Sequence, residues 1–300
     1  MTEPGGRPAV ARLELLAAAV LFSTGGAAIK ATSLDGWQVA GLRAGIAALF
    51  LFVVLPKARG RWTPRMLPVA SAFAAALFFF VLANKNATAA STIFLASTSP
   101  LYIVVLSPWL LGEHLRRRDL VLLLLIAVGI SLFFVDIEPS RVTAPNPTLG
   151  KVLAIVAGVS WAFTVIGLRW LSRGKSRDPG GSLPAVVLGN TLLFVICLPR
   201  IVTVTDVAVR DVGVVTYLGV IQIGLAYVFL TSAIRSVRAL EASLLLMAEP
   251  VLSPVWAWWL HGEVPGPWTL AGGALILAAT ALPAVYDALR RSSGASSAVG

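Results

Sequence analysis

Glu249 and Arg43 each interrupt an apolar run long enough to cross a bilayer, and an ionisable group at that depth is costly unless it is paired, neutralised or used. Glu249 lies roughly ten residues into its run, close to the midplane, and is the deeply placed acidic residue of the chain. Its carboxylate suits two tasks: carrying a proton that couples transport, or meeting an amine on a solute. A fixed contact to donors freed around Pro100 or Pro250, or an ion pair with Arg43, is the structural alternative. Arg43 stands about seven residues, or roughly 10 Å, inside its own run. That is within snorkelling reach of the outer interface; otherwise its guanidinium fork suits a substrate carboxylate.

Pro100 and Pro250 fall near the middle of two further runs. Each removes a backbone donor and frees a carbonyl one turn earlier, which bends a helix and opens polar backbone to a cavity. A packing kink satisfied by a neighbouring helix is the plainer reading. Around these positions Phe78, Phe79, Trp161, Thr164, Gln222, Tyr227, Ser243 and Met247 supply aromatic faces and small polar groups. Together with Glu249 they are the candidate contacts for an amphipathic or zwitterionic solute, with helix packing the competing role for each. Trp161 and Tyr227 sit well inside their runs, away from the interfacial belts usual for these residues.

Only membrane-spanning helices would place such residues together. Of 300 residues, 57% are apolar and 13% charged, too little charge to clothe a water-facing surface. With about 20 residues per span, ten spans fit. Apolar runs occur at 13–32, 36–55, 66–83, 90–111, 119–135, 149–171, 183–199, 211–233, 239–260 and 267–288. Residues 120–126 and 244–247 do not alternate, which argues for helices over barrel strands. The expected fold is an all-α polytopic membrane protein of ten transmembrane helices. Its parts are a tail at 1–12, five helices in 13–135, an external linker at 136–148, five helices in 149–289 and a tail at 290–300. Cys197 is the single cysteine, so no disulfide framework is expected.

The net charge of +10 finds its explanation in topology. With the amino terminus inside, 17 of the 24 Lys and Arg residues fall on cytoplasmic connections: Arg7, Arg12, Lys57, Arg59, Arg61, Arg65, Arg116, Arg117, Arg118, Arg169, Arg173, Lys175, Arg177, Arg235, Arg238, Arg290 and Arg291. Six lie outside, at Lys30, Lys85, Arg141, Lys151, Arg200 and Arg210. Both termini are therefore expected in the cytoplasm. The basic residues are spread over short loops without aromatic interleaving, which leaves no nucleic-acid surface.

A shift of 150 residues superposes 90–100 on 240–250 without a gap. Pro100 meets Pro250, Trp109 meets Trp259 and Gly112-Glu113 meets Gly262-Glu263, while Lys85 meets Arg235 upstream. Five spans per half force the halves into opposite orientations, so a five-plus-five inverted repeat is expected, with alternating access about a midplane site. Leu42-Arg43, the Ala-rich entry to the ninth run followed by Glu249-Pro250, and the two Gly-Glu pairs then carry a family likeness. The chain resembles the drug/metabolite transporter superfamily, EamA type, over about 13–289, within a few residues at each end. The resemblance implies a small-molecule transporter similar to bacterial aromatic amino-acid and metabolite exporters, in the inner membrane. It departs from the pattern at Ser99-Pro100, where the second half keeps Glu249-Pro250.

Export of amino acids, aromatic or otherwise hydrophobic, is the leading expectation. Proton-coupled transport of drugs, nucleobases or other metabolites is the alternative, followed by a passive channel. An intramembrane enzyme is disfavoured: His114 and His261 fall on opposite membrane faces, and no metalloprotease, nucleophile-elbow or phosphate-loop motif occurs. The expected partners are a small-molecule substrate and the lipid bilayer, with a homodimer open; no cofactor and no metal are expected.

Overall fold

Polar residues between the apolar runs start the helices. Asp35 accepts from the Gln38 N–H at 2.9 Å while the Gln38 side chain accepts from the Asp35 N–H at 3.0 Å, a reciprocal cap that opens α3 (Gly36–Val54). Asn146 accepts from the Leu149 N–H at 3.1 Å, and Pro147 takes the first position of α8 (Pro147–Ser172), where a missing N–H costs nothing. The computed structural model describes residues 6–110, 117–135, 141–172, 183–204, 207–233, 237, 242 and 245–296. Its other helices are α1 (Gly6–Ser23), α2 (Gly25–Lys30), α4 (Met66–Asn86), α5 (Ala89–Ala96), α6 (Ser99–Leu110), α7 (Arg117–Leu132), α9 (Leu183–Ile201), α10 (Val209–Thr216), α11 (Ala226–Ala233), α12 (Ala248–His261) and α13 (Pro267–Ser296). A π-helical stretch, Tyr217–Leu225, joins α10 to α11. Among the described residues the extended pairing is a single bridge, Arg141 to Ala144.

Among the described residues seven stretches are long and apolar enough to cross a membrane: Ala9–Lys30, Gly36–Val54, Met66–Asn86, Ala89–Leu106, Pro147–Leu171, Leu183–Ile201 and Val209–Ala233. The runs expected at 119–135 and 267–288 contain shorter apolar helices, Leu120–Leu132 and Pro267–Ala281, and the run at 239–260 contains α12. The chain is an all-α multi-pass membrane protein. Leu13, Leu49 and Leu124 are each about two-thirds exposed, as lipid-facing side chains are, whereas Ala18, Ala19, Ala40, Ala44, Ala70 and Ala74 are buried between helices. Apolar burial does not drive association between helices already in lipid, so small side chains that let backbones approach take over that role.

The fourth run is broken into α5 and α6 by a turn at Ser97 and Thr98, directly before Pro100. Pro100 is the second residue of α6, a position that needs no N–H, so the chain breaks ahead of the proline instead of bending around it. Ser97 Oγ donates to Ile93 O at 2.7 Å and Thr98 Oγ1 to Leu95 O at 2.6 Å, satisfying carbonyls at the end of α5. Met247, 150 positions later, forms the matching turn before α12, with Pro250 as the third residue of that helix. Gly158 of α8 faces the first break: a Cβ there would lie 3.0 Å from Ala96 O.

Most contacts between the two halves among the described residues come in mates. α1 packs on α11 as α8 packs on α4, α3 on the π-helical stretch as α9 on α4, and α1 on α12 as α8 on α5. The pairs α3 with α9, α5 with α12 and α7 with α13 each map onto themselves when the halves are exchanged.

Candidate functional site

The interrupted helices surround a cavity of about 550 Å³. Ser97, Ser99 and Pro100 reach its wall from the first break, and Met247, Glu249 and Pro250 from the second. The wall between them is mostly apolar and aromatic, with few polar groups, the composition of a small-molecule site.

Glu249 lies in the first turn of α12, where the helix dipole favours a negative charge. It is half-buried and has no hydrogen-bond partner among the described residues. Arg43 of α3 is 1% exposed and does not snorkel; its Nη2 donates to Leu77 O at 3.3 Å, and its Nε has no partner. It therefore points from α3 toward the bundle interior and contributes to the cavity wall. No ion pair joins Arg43 to Glu249 among the described residues, so the wall presents a guanidinium and a carboxyl as separate groups.

Gln222 comes from the π-helical stretch, whose wider turn shifts side chains off the α-helical register. Its Nε2 donates to Phe22 O at 3.3 Å, just before the interruption at Thr24 between α1 and α2, while its buried Oε1 has no partner. The break is gripped from two other sides: Thr24 Oγ1 meets Tyr217 Oη at 2.8 Å and Trp256 Nε1 donates to Ser23 Oγ at 2.8 Å. Tyr227 packs edge-on against Phe22, ring centroids 5.6 Å apart, and Phe73 backs both Tyr227 and Trp161. Each such aromatic pair adds about 0.5–1.5 kcal/mol beyond area burial, enough to hold one wall rigid.

Of the residues singled out in the sequence, Arg43, Trp161, Gln222, Tyr227, Met247, Glu249, Pro100 and Pro250 line this cavity. Phe78 and Phe79 do not: Phe78 packs on Trp37 at 4.6 Å and on Phe79 at 5.5 Å, on a different face of α4 from Ala76, Leu77 and Phe80. Thr164 is buried outside the lining, its hydroxyl donating to Ser160 O. Ser243, with Gly112, Glu113 and His114, lies outside the described residues. Sequence reading passed over Phe22, Phe80, Ser97 and Thr280, and named Ser99 only as a departure from the Glu-Pro pattern; all five also line the cavity. The 150-residue register pairs Ser97 with Met247 and Ser99 with Glu249, so the signal for those two was present; Thr280 carries no comparable signal. No group of three or more His, Cys, Asp or Glu converges among the described residues.

Similarity to known proteins agrees with a transport cavity. The pseudopaline exporter CntI of Pseudomonas aeruginosa is 25% identical over 270 residues, 87% of this chain and 91% of that protein. An uncharacterized transporter of Bacillus subtilis, YwfM, is 24% identical over 200 residues, 66% of this chain and 65% of its own. A crystal structure at 24% identity matches with a TM-score of 0.59 across 93% of this chain and 98% of that one, a likeness of fold. The EamA-like transporter family matches residues 11–135 and again 148–284. A multi-pass helical bundle with an internal cavity, matched along almost its whole length in two successive copies, belongs to the EamA-like transporter family and is a membrane transporter.

Proposed function

We propose that this transporter exports small amphipathic metabolites from the cytoplasm of a bacterium across its inner membrane, hydrophobic and aromatic amino acids being the leading class. The carrying observation is the cavity wall itself: a separate guanidinium and carboxylate, Arg43 and Glu249, stand among Phe22, Trp161 and Tyr227. A zwitterion with an apolar side chain offers a partner to each part, its carboxylate to Arg43 and its ammonium to Glu249. The exporter among the relatives supports the direction.

Alternating access through a five-plus-five inverted repeat is the proposed mechanism. The mated contacts between halves and the two helix breaks 150 residues apart support it, because equivalent gates on opposite sides of one site require such a relation. Proton coupling is the second reading, favoured by the lack of a hydrogen-bond partner for Glu249 among the described residues. The test is uptake of radiolabelled amino acids and nucleobases into proteoliposomes, with and without a pH gradient. Saturable uptake of hydrophobic amino acids, accelerated by unlabelled substrate preloaded inside, is the expected result; selective uptake of nucleobases alone would replace the substrate class, and lack of acceleration by preloaded substrate would count against a carrier.

A further inference from the structure

At the ends of the helices remote from Met247, a second polar cluster spans the two halves of the chain. Lys30, the last residue of α2, places Nζ 2.6 Å from Ala87 O, 2.5 Å from Thr143 O and 3.0 Å from Glu263 Oε1. Glu263 Oε2 accepts from the Ala89 N–H at 2.9 Å. Both charged side chains are under 5% exposed. The turn between α4 and α5 thus serves both charges, offering the carbonyl of Ala87 to the cation and the first N–H of α5 to the anion, the polarity that the two helix dipoles favour. Gly262 makes this geometry: its φ of 64° ends α12 in the left-handed region and directs Glu263 back into the bundle.

Neighbouring contacts extend the junction. His261 Nε2 meets Ala27 O at 2.8 Å, Lys85 Nζ donates to Thr32 O at 2.8 Å, and the Ser33 N–H donates to the buried carboxylate of Asp211 at 2.9 Å. The chain just after α2 is therefore tied to elements of the second half, above the cavity. Phe22 and Ile93 of the cavity wall lie eight residues from Lys30 and four from Ala89, about 12 Å and 6 Å deeper at the rise of a helix.

We infer that the Lys30–Glu263 pair is the bolt of the outer gate, joining the halves at the docking turn Ala87-Thr88-Ala89 and barring the cavity from the outside. The inference rests on the alternating-access reading and on placement of both termini inside. A buried ion pair contributes little net stability, because desolvation offsets most of the attraction between the charges. It is well suited to a reversible closure: when the halves part and water enters, rehydration of both ions compensates for the lost contact. Removing one partner leaves a lone buried charge, which favours the open, hydrated arrangement.

The test reads accessibility and needs no substrate, so an error in substrate class leaves its outcome unaffected. Ile93→Cys in a Cys197→Ala background reports the cavity wall to a membrane-impermeant maleimide, applied to intact cells or to inside-out vesicles. The double variant Lys30→Met/Glu263→Gln removes both charges together and so leaves no lone buried ion; melting temperature and monodispersity in detergent confirm that it folds. Glu263→Gln, checked for folding in the same way, strands the Lys30 ammonium in the closed gate, so labelling from outside should rise by about tenfold or more, the scale on which a lone buried charge biases a two-state gate. The double variant strands no charge and should return most of that labelling. Unchanged outside labelling in folded Glu263→Gln overturns the inference, and so does a double variant that labels as strongly as the single one or a gain confined to inside-out vesicles.

Discussion

At the scale of single residues, Glu249 and Arg43 make different demands on the same solute. Replacing Glu249 with Gln keeps its size and removes its proton exchange, so under proton coupling the response of transport to pH should flatten while binding persists. Rates measured across pH in proteoliposomes check this, and an unaltered pH profile would leave the carboxylate with a shaping role. Arg43→Lys keeps the charge and loses the planar fork, which should raise KM for amino acids by about tenfold or more, the value of one charge-assisted hydrogen bond. Competition by amino-acid amides, which lack the carboxylate, should change little. These two residues were legible in the sequence because charge within apolar runs is rare. The aromatic contacts were less so: residues 77–80 are apolar without a break, every face of α4 is hydrophobic there, and only packing reveals that Leu77 and Phe80 face the cavity while Phe78 faces Trp37.

At the scale of elements, the two prolines lie beside the breaks in the fourth and ninth runs, though the break precedes each proline and the first uses the hydroxyls of Ser97 and Thr98, which the sequence did not flag. The interruption at Thr24 and the π-helical stretch Tyr217–Leu225 carry no proline; Gly25-Gly26 weakens the helix just after Thr24, but neither interruption is fixed by local propensity alone. Both arise from contacts distant in sequence, Thr24 with Tyr217 and Gln222 with Phe22. Close approach of α8 to the first break depends on Gly158, because a larger residue would press on the backbone carbonyls of Leu95 and Ala96. Gly158→Val should therefore destabilise the protein by about 1–3 kcal/mol, as overpacking against a poorly yielding neighbour does. A lowered melting temperature in detergent is the readout, and an unchanged value would mean the helices separate at little cost.

At the scale of the whole molecule, the charge distribution and the repeat anticipated a multi-pass helical bundle, and contacts between the halves follow the same exchange. The Lys30–Glu263 junction was not legible: Gly262-Glu263 stood out as a repeat match, but Lys30 lies 233 positions away and reads as an ordinary loop charge. The substitution of Ser99 for an acidic mate of Glu249 has an electrical consequence. Among the described residues Glu249 is the single carboxylate of the cavity wall, so a cycle coupled through it alone would bring in one proton per solute released. Export of a net-neutral zwitterion would then carry one positive charge inward, and a potential of 100 mV, negative inside, would add about 2.3 kcal/mol to the driving force, roughly a 50-fold concentration ratio. A potassium diffusion potential imposed on proteoliposomes should accelerate wild-type export and leave Glu249→Gln indifferent to voltage; equal voltage dependence in both would separate the carboxylate from the current. Under proton coupling, one missing acid would thus set both the stoichiometry of the cycle and its sensitivity to the electric field of the membrane.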